Sequence, residues 1–252
     1  MKLHLKHKKH IRMKTTMKFT AILVLLLTTT SCFVEGLTGV RGNRNVISEN
    51  RTTHQDFDEI KVQQGIHVYL TQGNNSELRV EADENIMDLL VTEVRNNQLK
   101  IYFEKNVYKA KARNVYLTVD ELSKIRTSSG AHVKSENTFS AGTLDLDSSS
   151  GSSIKLYVAA DEVNSSCSSG ASIALFGKTK SFSASASSGS SIDADELQTG
   201  DAYAKASSGA NINVNVSGKL TAKASSGGDI DYEGNPDSVN KDTSSGGSVS
   251  GN

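Results

Sequence analysis

The chain has 252 residues with 28 basic and 28 acidic side chains, so its formal net charge is zero. Residues 1–31 carry seven basic side chains and no acidic one, which leaves 21 basic and 28 acidic residues, a net charge of −7, in the remainder. A mildly acidic body argues against a nucleic-acid partner, which needs a basic surface. The chain has no Trp, one Pro and 36% hydrophobic residues, which argues against a thick conventional core. The sequence contains no apolar run of 18 residues, so no membrane-spanning helix is expected.

The first 31 residues have the layout of a secretory signal peptide. A basic segment over residues 1–18 precedes a short, mainly apolar segment over residues 19–27, and small residues then lead to Cys32. This layout resembles a bacterial lipoprotein signal, in which the cysteine becomes the lipidated N-terminus. Thr29 departs from that pattern, because such signals usually carry Leu there. The alternative is an ordinary cleaved signal with an unrelated cysteine.

The lipoprotein resemblance implies that outer-membrane lipid is a partner, attached through Cys32. Phe33 follows, rather than the Asp that would retain a lipoprotein at the inner membrane, so we expect an exported protein anchored at the outer membrane. Residues 32–53 contain many Gly, Asn and Thr residues and are predicted to form a tether. Residues 54–252 are predicted to form one domain. Because acylation would occupy Cys32, Cys167 would have no disulfide partner.

The body of the chain is a repeat with a period of about nineteen residues. Ser-Ser-Gly recurs seven times, with its glycine at positions 130, 151, 170, 189, 209, 227 and 246. A β-branched aliphatic residue stands three positions after every glycine: Val133, Ile154, Ile173, Ile192, Ile212, Ile230 and Val249. A disordered Ser/Gly linker would not maintain that column. The pattern therefore predicts a folded repeat.

The residues three positions before each glycine are all small and share parity with the aliphatic column. Side chains alternate between the two faces of a strand, so both columns are predicted to point inward. Repeats of 18–21 residues suit the coils of a β-solenoid, in which equivalent residues stack about 4.8 Å apart. The sequence therefore predicts an all-β solenoid of about seven coils that follows an N-terminal β-rich cap.

The second serine of each repeat is predicted to belong to a structural ladder. These serines are Ser129, Ser150, Ser169, Ser188, Ser208, Ser226 and Ser245. Stacked hydroxyls can donate to one coil and accept from the next, so a buried serine column could satisfy its own hydrogen bonds. A catalytic role is disfavoured, because no histidine or acidic column stands in register with the serines.

Residues 54–125 lack the Ser-Ser-Gly repeat but also alternate apolar and polar residues. Strands are predicted over residues 56–62, 65–71, 77–82, 98–103 and 115–119. Residues 83–91 are a candidate short helix, in which Asp83 would cap the N-terminus and Ile86, Leu89 and Leu90 would share a face. This region is predicted to cap the solenoid.

Three segments carry a resemblance to a known family. DFDEIKVQQGIHVYL at 56–70, ELRVEADENIMDLLVTEV at 77–94 and LSKIRTSSGAHV at 122–133 precede the Ser-Ser-Gly coils. In this order they resemble the auto-transporter adhesin, head GIN domain family of exported Bacteroidetes-type proteins, and the likeness spans about residues 55–250. The resemblance implies a right-handed β-helix-like fold and a role at the cell surface, and it supplies no catalytic residues.

Few residues are candidates for chemistry. The Asp-x-Asp pairs at 145/147, 193/195 and 229/231 could serve calcium binding or glycoside hydrolysis, but their different positions in the repeat favour a solvated charged face. His67 and His132 are predicted to point outward, and scattered histidines do not make a zinc site. Cys167 is predicted to be a buried, inert thiol. We therefore expect no catalytic residue, metal or cofactor.

The favoured function is a lipid-anchored cell-surface adhesin or interaction module without catalysis. Its partner would be a glycan or protein bound on a face of the solenoid. One alternative is an envelope scaffold that assembles end to end, with Lys241 and Asp242 as residues that could instead guard the last coil. A less favoured alternative is an enzyme acting on polysaccharide. The sequence leaves the oligomeric state open.

Overall fold

A computed structural model describes residues 39–53 and 56–251. The predicted signal peptide and Cys32 lie outside the described residues. The described chain forms nineteen strands and a 3₁₀ helix over Glu84–Leu89. The strands are β1 Val40–Arg41, β2 Val46–Arg51, β3 Glu59–Val62, β4 His67–Gln72, β5 Glu77–Asp83, β6 Leu90–Arg95, β7 Gln98–Phe103, β8 Val107–Tyr108, β9 Arg113–Val119, β10 Lys124–Thr127, β11 His132–Ser148, β12 Ser153–Cys167, β13 Ser172–Ala186, β14 Ser191–Ser207, β15 Asn211–Val216, β16 Lys219–Ser225, β17 Asp229–Glu233, β18 Ser238–Thr243 and β19 Ser248–Gly251.

The predicted all-β solenoid is confirmed. From β10 onward each coil stacks on the next through parallel pairing, and equivalent repeat positions are direct partners. Ile154 pairs with Ile173, which pairs with Ile192. Each coil has one strand before and one strand after the Ser-Ser-Gly turn, and a short third segment joins it to the following coil. One repeat of the sequence thus forms one full coil of the solenoid.

The core is a set of columns that run along the solenoid. The predicted isoleucines Ile154, Ile173, Ile192, Ile212 and Ile230 are each at most 1% exposed. Behind them lies the column of small residues that includes Cys167. A second small column, immediately after each glycine, is also buried and includes Ala171 and Ala210. Its positions hold only Ala, Ser or Gly, a signal in the sequence that the predicted columns did not include.

The Ser-Ser-Gly segment is a tight turn with two residues in the left-handed region. In one repeat Ser169 has φ +55° and Gly170 has φ +68°, and the Ala171 N–H donates to the Ser168 carbonyl at 3.2 Å. Two successive positive φ angles with this hydrogen bond define a type I′ turn. The seven predicted ladder serines all have φ between +50° and +56°. The turn thus depends on backbone conformation as well as on serine chemistry.

The predicted column of buried serine hydroxyls is wrong. The second serine of every repeat is exposed, because a side chain at this corner of a type I′ turn projects away from the coil. The ladder is made by backbone instead: the Gly151 N–H donates to the Ser169 carbonyl at 3.1 Å, and the Gly170 N–H donates to that of Ser188 at 3.2 Å. Buried hydroxyls occur elsewhere, where Thr127, Ser148 and Ser152 contact one another at 2.9–3.0 Å.

The turn conformation gives a testable prediction at Ser169. Ser169→Val places a β-branched side chain at φ +55° and should lower the free energy of unfolding by about 1–2 kcal/mol. Ser169→Gly should change it by less than about 1 kcal/mol, because glycine adopts this φ readily but is more flexible when unfolded. Denaturant unfolding of the two variants measures both effects. Equal losses in both would show that the hydroxyl, not the backbone, stabilises the turn.

The first coil has the same corner without the Ser-Ser-Gly motif. Gln64 and Gly65 have φ +60° and +67°, and the Gly65 N–H donates to the Ser129 carbonyl at 3.0 Å. β3 and β4 therefore stack directly on the first Ser-Ser-Gly coil. On their other side they pair with β7 and β9, and the antiparallel strands β5 and β2 extend the sheet. The N-terminal region thus covers one end of the solenoid.

The predicted tether is wrong for residues 40–51. β1 pairs with β8, and β2 pairs antiparallel with β5. Hydrogen bonds to distant residues hold this segment. The Asp83 carboxylate accepts the Arg44 N–H at 2.8 Å, and Arg51 donates to the Leu90 carbonyl and, at 3.1 Å, to that of Met87. These partners lie 36 to 39 residues away, so the composition of the segment could not reveal them.

The candidate helix over residues 83–91 is shorter than predicted. The 3₁₀ helix ends at Leu89, and β6 begins at Leu90. Ile86 and Leu90 are buried as predicted, whereas Leu89 is half-buried and Met87 takes its place in the core. Asp83 stands at the N-cap position, but its side chain makes no capping hydrogen bond because three other backbone N–H groups occupy it.

Lys241 closes the last described coil. Its pairing partner is the fully buried Ala222, so its side chain starts from an inward-facing column. The ammonium group then bends back, donating to the Val249 carbonyl at 3.2 Å and lying 4.8 Å from the centre of the Tyr232 ring. An inward-pointing charge on an edge strand discourages pairing with another edge. This arrangement weighs against end-to-end assembly.

Candidate interaction face

One continuous sheet forms the longest outer surface of the solenoid. The long strands β11–β14 contribute to this sheet only the residues that follow each Ser-Ser-Gly turn. The strands of the sheet lie in the spatial order β2, β5, β9, β4, β11, β12, β13, β14, β15, β17 and β19. We call the outer surface of these strands the long face. Since neighbouring strands are in register, outward side chains form straight rows across it.

Two rows carry most of the charged and aromatic side chains of the long face. The first row is Arg79, Tyr116, Tyr69, Lys134, Lys155, Ala174, Asp193, Asn213 and Asp231. The second row is Glu81, Asn114, His67, His132, Ser153, Ser172, Ser191, Asn211 and Asp229. The first row begins with Arg79 and two tyrosines and the second with Glu81, and both rows reach aspartates on β17.

The part of the long face on β5, β9, β4, β11 and β12 is the aromatic half. Its outward cations Arg79, Lys134 and Lys155 are matched in number by Glu77, Glu81 and Glu136, and Arg79 lies 3.7 Å from Glu81 and Lys134 lies 3.1 Å from Glu136. Tyr69 and Tyr116 stack with ring centres 5.0 Å apart, and the Arg79 guanidinium lies 3.8 Å from the centre of the Tyr116 ring. His67 and His132 stack at 4.7 Å. Since the rings stack on one another, they present mainly their edges to a partner, with hydroxyl and ring-nitrogen atoms rather than open aromatic faces.

His67, in the aromatic half, has a displaced pKa. Burial and the nearby positive groups of His132 and Arg113 lower the pKa of His67, because each disfavours the protonated ring. His132 contacts Ser153 Oγ through Nδ1 at 2.6 Å. Both histidines lie on the outer surface as expected, and the structure additionally brings them together because they occupy the same position on paired strands.

The part of the long face on β14, β15 and β17 is the acidic half. Asp193, Asp195, Asp229, Asp231 and Glu233 lie on it, interleaved with asparagines. The Asn213 side chain donates to Asp193 at 3.4 Å. Within residues 39–53 and 56–251, none of these five carboxylates has a cationic group within 4.0 Å. The acidic half therefore has negative charge that the described chain does not neutralise.

The strands that precede the Ser-Ser-Gly turns form a second large face, on which some acidic side chains have cationic partners within the chain. Lys124 lies 3.5 Å from Asp145 and 3.6 Å from Asp147, and Arg126 lies 3.3 Å from Asp147. The first Asp-x-Asp pair is thus part of an ion-pair network, while the other two pairs lie on the acidic half of the long face. Near β10 and β11, the charges of the second face are therefore paired within the chain.

Metal ligation and thiol chemistry find little support in the described residues. In residues 39–53 and 56–251, no three His, Cys, Asp or Glu side chains are grouped to hold a metal ion. Cys167 is buried, and that burial raises the pKa of its thiol, which disfavours the reactive thiolate. A cavity of about 510 Å³ is lined partly by Asp58 and Gln72, but Gln72 is fixed by hydrogen bonds to Asp120 and Ser140.

Comparison with known proteins decides the family. Residues 56–236 match the family described as "Putative auto-transporter adhesin, head GIN domain". The chain belongs to this family. The match includes β3 to β17 and the first six Ser-Ser-Gly turns, which confirms the family that the resemblance predicted and ends about one coil before the predicted limit at residue 250. No curated protein matches the chain in sequence.

Solved structures share the fold of this head GIN domain protein at low sequence identity. A putative adhesin from Bacteroides fragilis has a TM-score of 0.77 and 19% identity over 85% of this chain and 100% of its own. A putative adhesin from Parabacteroides distasonis has a TM-score of 0.69 and 22% identity over 84% and 99%. A putative lipid binding protein from the same species has a TM-score of 0.64 and 20% identity over 84% and 99%. These likenesses establish the fold alone.

Proposed function

We propose that this head GIN domain protein is an exported, lipid-anchored envelope protein that acts as a non-catalytic adhesin through its long face. The observation that carries the proposal is the long face itself, with in-register rows of charged and aromatic side chains whose acidic half is not neutralised within the described chain. Family membership and the adhesin names of the structural neighbours support the same role. No described helix is long and apolar enough to cross a membrane.

The anchoring part of the proposal rests on the sequence before the described residues. Acylation of Cys32 would fix the chain at the end where β2 and the cap lie, leaving the remaining coils to extend away from the membrane. Cys32→Ser should prevent incorporation of labelled fatty acid and move the protein from the membrane fraction into the medium or the periplasm. A protein that stays membrane-bound and unlabelled in both forms would contradict lipid anchoring.

Surface display and adhesion are tested on intact cells. Protease added outside the cells should degrade the protein, whereas a periplasmic marker should survive. Cells that display the protein should adhere to a cell or glycan surface more than cells lacking it. Charge reversal on the long face, as in Lys155→Glu, should reduce adhesion, while Lys205→Glu on the second face should not. Release of new reducing ends from envelope glycans would instead favour an enzyme.

A further inference from the structure

A depression of about 250 Å³ lies at the edge of the aromatic half, beside the Gly65 corner of the first coil. We call it the corner pocket. No described residue of its lining is acidic, and β4 and the segment that leads into β9 supply the groups that can bind a ligand. Five charged or polar residues line it: His67, Tyr69, Lys111, Arg113 and Asn114.

Arg113 is the most enclosed cation of the corner pocket. Its Nη2 group donates to the Val107 carbonyl at 3.1 Å, and a Cβ added at Gly65 would lie 2.9 Å from Nη1, so the glycine leaves the guanidinium its place. The side chain is half-buried, and this burial lowers the pKa of Arg113 because it disfavours the charged form. A guanidinium has five N–H donors, and the contact with Val107 uses one. Arg113 is therefore a partly desolvated cation with further donors for a ligand.

The cations of the corner pocket have no ion-pair partner in the part of the chain that the structure describes. Within residues 39–53 and 56–251, no carboxylate lies within 4.0 Å of the charged groups of Lys111, Arg113 or His67. Asp83 raises the pKa of Arg113, but its carboxylate is buried and already accepts three backbone N–H groups. The segment 105–119 carries four basic side chains and no acidic one.

The acidic side chains on the neighbouring strands have partners of their own. Glu81 on β5 lies 3.7 Å from Arg79 and accepts the Tyr116 hydroxyl at 3.4 Å. On β11, Glu136 lies 3.1 Å from Lys134. These contacts neutralise the rows of the aromatic half but leave the positive charge of the corner pocket without a counter-ion.

His67 adds a charge that depends on pH. Its neighbours across β9 and β11 are the neutral Asn114 and His132, whose ring stacks on it at 4.7 Å and contacts Ser153 Oγ. Burial, His132 and Arg113 each lower the pKa of His67, because all three disfavour a second positive charge at this point. An anion bound beside these groups would remove that repulsion and favour the protonated ring.

The neutral groups of the corner pocket suit the hydroxyls of a sugar. Among the described residues, no hydrogen bond occupies the Asn114 amide or the Tyr69 hydroxyl, and each can both donate and accept. The volume of about 250 Å³ is several times the roughly 30 Å³ that one water occupies, so the pocket has room for more than an inorganic ion. A few convergent polar groups in a depression of this kind are typical of a small-ligand site.

We propose that the corner pocket binds an acidic saccharide. Arg113, Lys111 and protonated His67 bind its carboxylate or sulfate group through charge-assisted hydrogen bonds. Asn114 and Tyr69 bind its hydroxyls. The inference deepens the proposed adhesin function, and the choice of a saccharide rests on that function. The affinity for an oxyanion follows from the side chains of the pocket alone.

Two larger depressions of the described surface suit an acidic ligand less well. The cavity of about 510 Å³ is lined by Asp58, Asp120 and Glu121, which would repel an anion. A cavity of about 360 Å³ has lysines in its lining, but Asp161 also lies there, and its carboxylate is 2.7 Å from Lys180. The corner pocket combines a half-buried arginine with a lining that has no described acidic residue, and for this reason we place the ligand there.

Titration of the purified protein, followed by NMR of the histidine rings, tests the proposal. Glucuronate and a sulfated glucose should each bind with a Kd of about 1 mM and shift the ring resonances of His67 and His132, whereas glucose should not. The ring of His54, outside the described residues, is the internal reference. The bound anion should raise the pKa of His67 toward its ordinary value of 6.5, so binding should strengthen as the pH falls through that range.

Variants assign the binding to the corner pocket. Arg113→Gln and Lys111→Gln should each weaken glucuronate binding about tenfold. Lys111 is exposed, and its backbone rather than its side chain bonds Asp83, so Lys111→Gln should leave the fold intact. The matched control is Lys155→Gln, which removes an exposed lysine of the same face outside the pocket and should leave binding unchanged.

Several results would overturn the proposal. They are the absence of ring shifts with both acidic sugars, and undiminished binding in both pocket variants. Inorganic sulfate or glycerol phosphate binding as tightly as the two sugars would overturn the saccharide assignment, since the site would then take a bare ion or a lipid head group. Binding of the acidic sugars by a protein whose cells do not adhere would support the corner pocket and refute the adhesin function.

Discussion

Ile173→Asp is expected to unfold the solenoid. Ile173 is 1% exposed and lies between Ile154 and Ile192 of the neighbouring coils, so a carboxylate there would be buried without a partner. The free energy of unfolding should fall by more than about 4 kcal/mol, which exceeds the usual cost of a substitution. Because each coil is stabilised only by its neighbours, the loss should spread beyond one coil. Thermal unfolding followed by circular dichroism measures it.

The matched control is Asp193→Asn on the next coil. Asp193 is exposed, so the change should alter the free energy of unfolding by less than about 0.5 kcal/mol. Ile173→Val separates burial of charge from loss of volume, since it removes one methylene and should cost only about 0.5–1.5 kcal/mol. Equal melting temperatures for the aspartate variant and the wild type would show that Ile173 does not face the core.

Asp83→Ala should loosen the N-terminal cap where residues 42–51 and the 3₁₀ helix attach to it. The Asp83 side chain is fully buried and accepts backbone hydrogen bonds from Arg44 at 2.8 Å, Lys111 at 2.9 Å and Ala112 at 3.0 Å. Removing the carboxylate leaves three backbone donors without it, of which the Ala112 N–H is buried, and we expect a loss of about 3 kcal/mol. Amide exchange should accelerate most in β1, β2 and the 3₁₀ helix. Asp88→Ala, in the same helix but exposed, is the control and should change little.

The same carboxylate makes the cap sensitive to acid. Burial of Asp83 opposes ionisation, but the backbone hydrogen bonds from Ala112, Arg44 and Lys111 outweigh it and hold the pKa below its ordinary value of 3.8. A folded-state pKa below the unfolded one stabilises the protein above the unfolded pKa, and this stabilisation is lost as the pH falls through the folded pKa. The cap should therefore open below about pH 4, and Asp83→Ala should remove that transition. An unchanged acid transition in the variant would assign it to other carboxylates.

The repeating half of the fold could be read from the sequence because its contacts are periodic. In a solenoid, residue Ile173 touches residues one period away, so the spacing of like residues reports the packing directly. The N-terminal half has no repeat of this kind, so its contacts do not follow a fixed spacing in the sequence. The attachment of β2 depends on Arg51 reaching carbonyls 36 and 39 residues away, and no pattern within the segment marks those partners. The predicted tether was wrong for this reason.

The serines of the turns show a different limit of prediction from the sequence. The repeated Ser-Ser-Gly motif correctly predicted a turn in every coil. The same residues, however, are consistent both with a buried ladder of hydroxyl groups and with a type I′ turn. The φ angle of Ser169 and the hydrogen bond between Ala171 and Ser168 distinguish the two, and neither is a property of composition. The long face shows the same limit on a larger scale, since Tyr69 and Tyr116 are far apart in sequence and meet only because β4 pairs with β9.

The amino-acid sequence by itself determined that this chain winds into stacked coils, which positions form its aliphatic interior, and to which family it belongs. It could do so because every coil repeats one local pattern, so burial follows from parity and period. Only the tertiary structure decided how the cap closes one end, where Lys241 lies at the other, and how side chains from eleven strands combine into one face with an aromatic half and an acidic half. Those features arise from residues that become neighbours through strand pairing. The distance between such residues along the chain does not reveal that they pair.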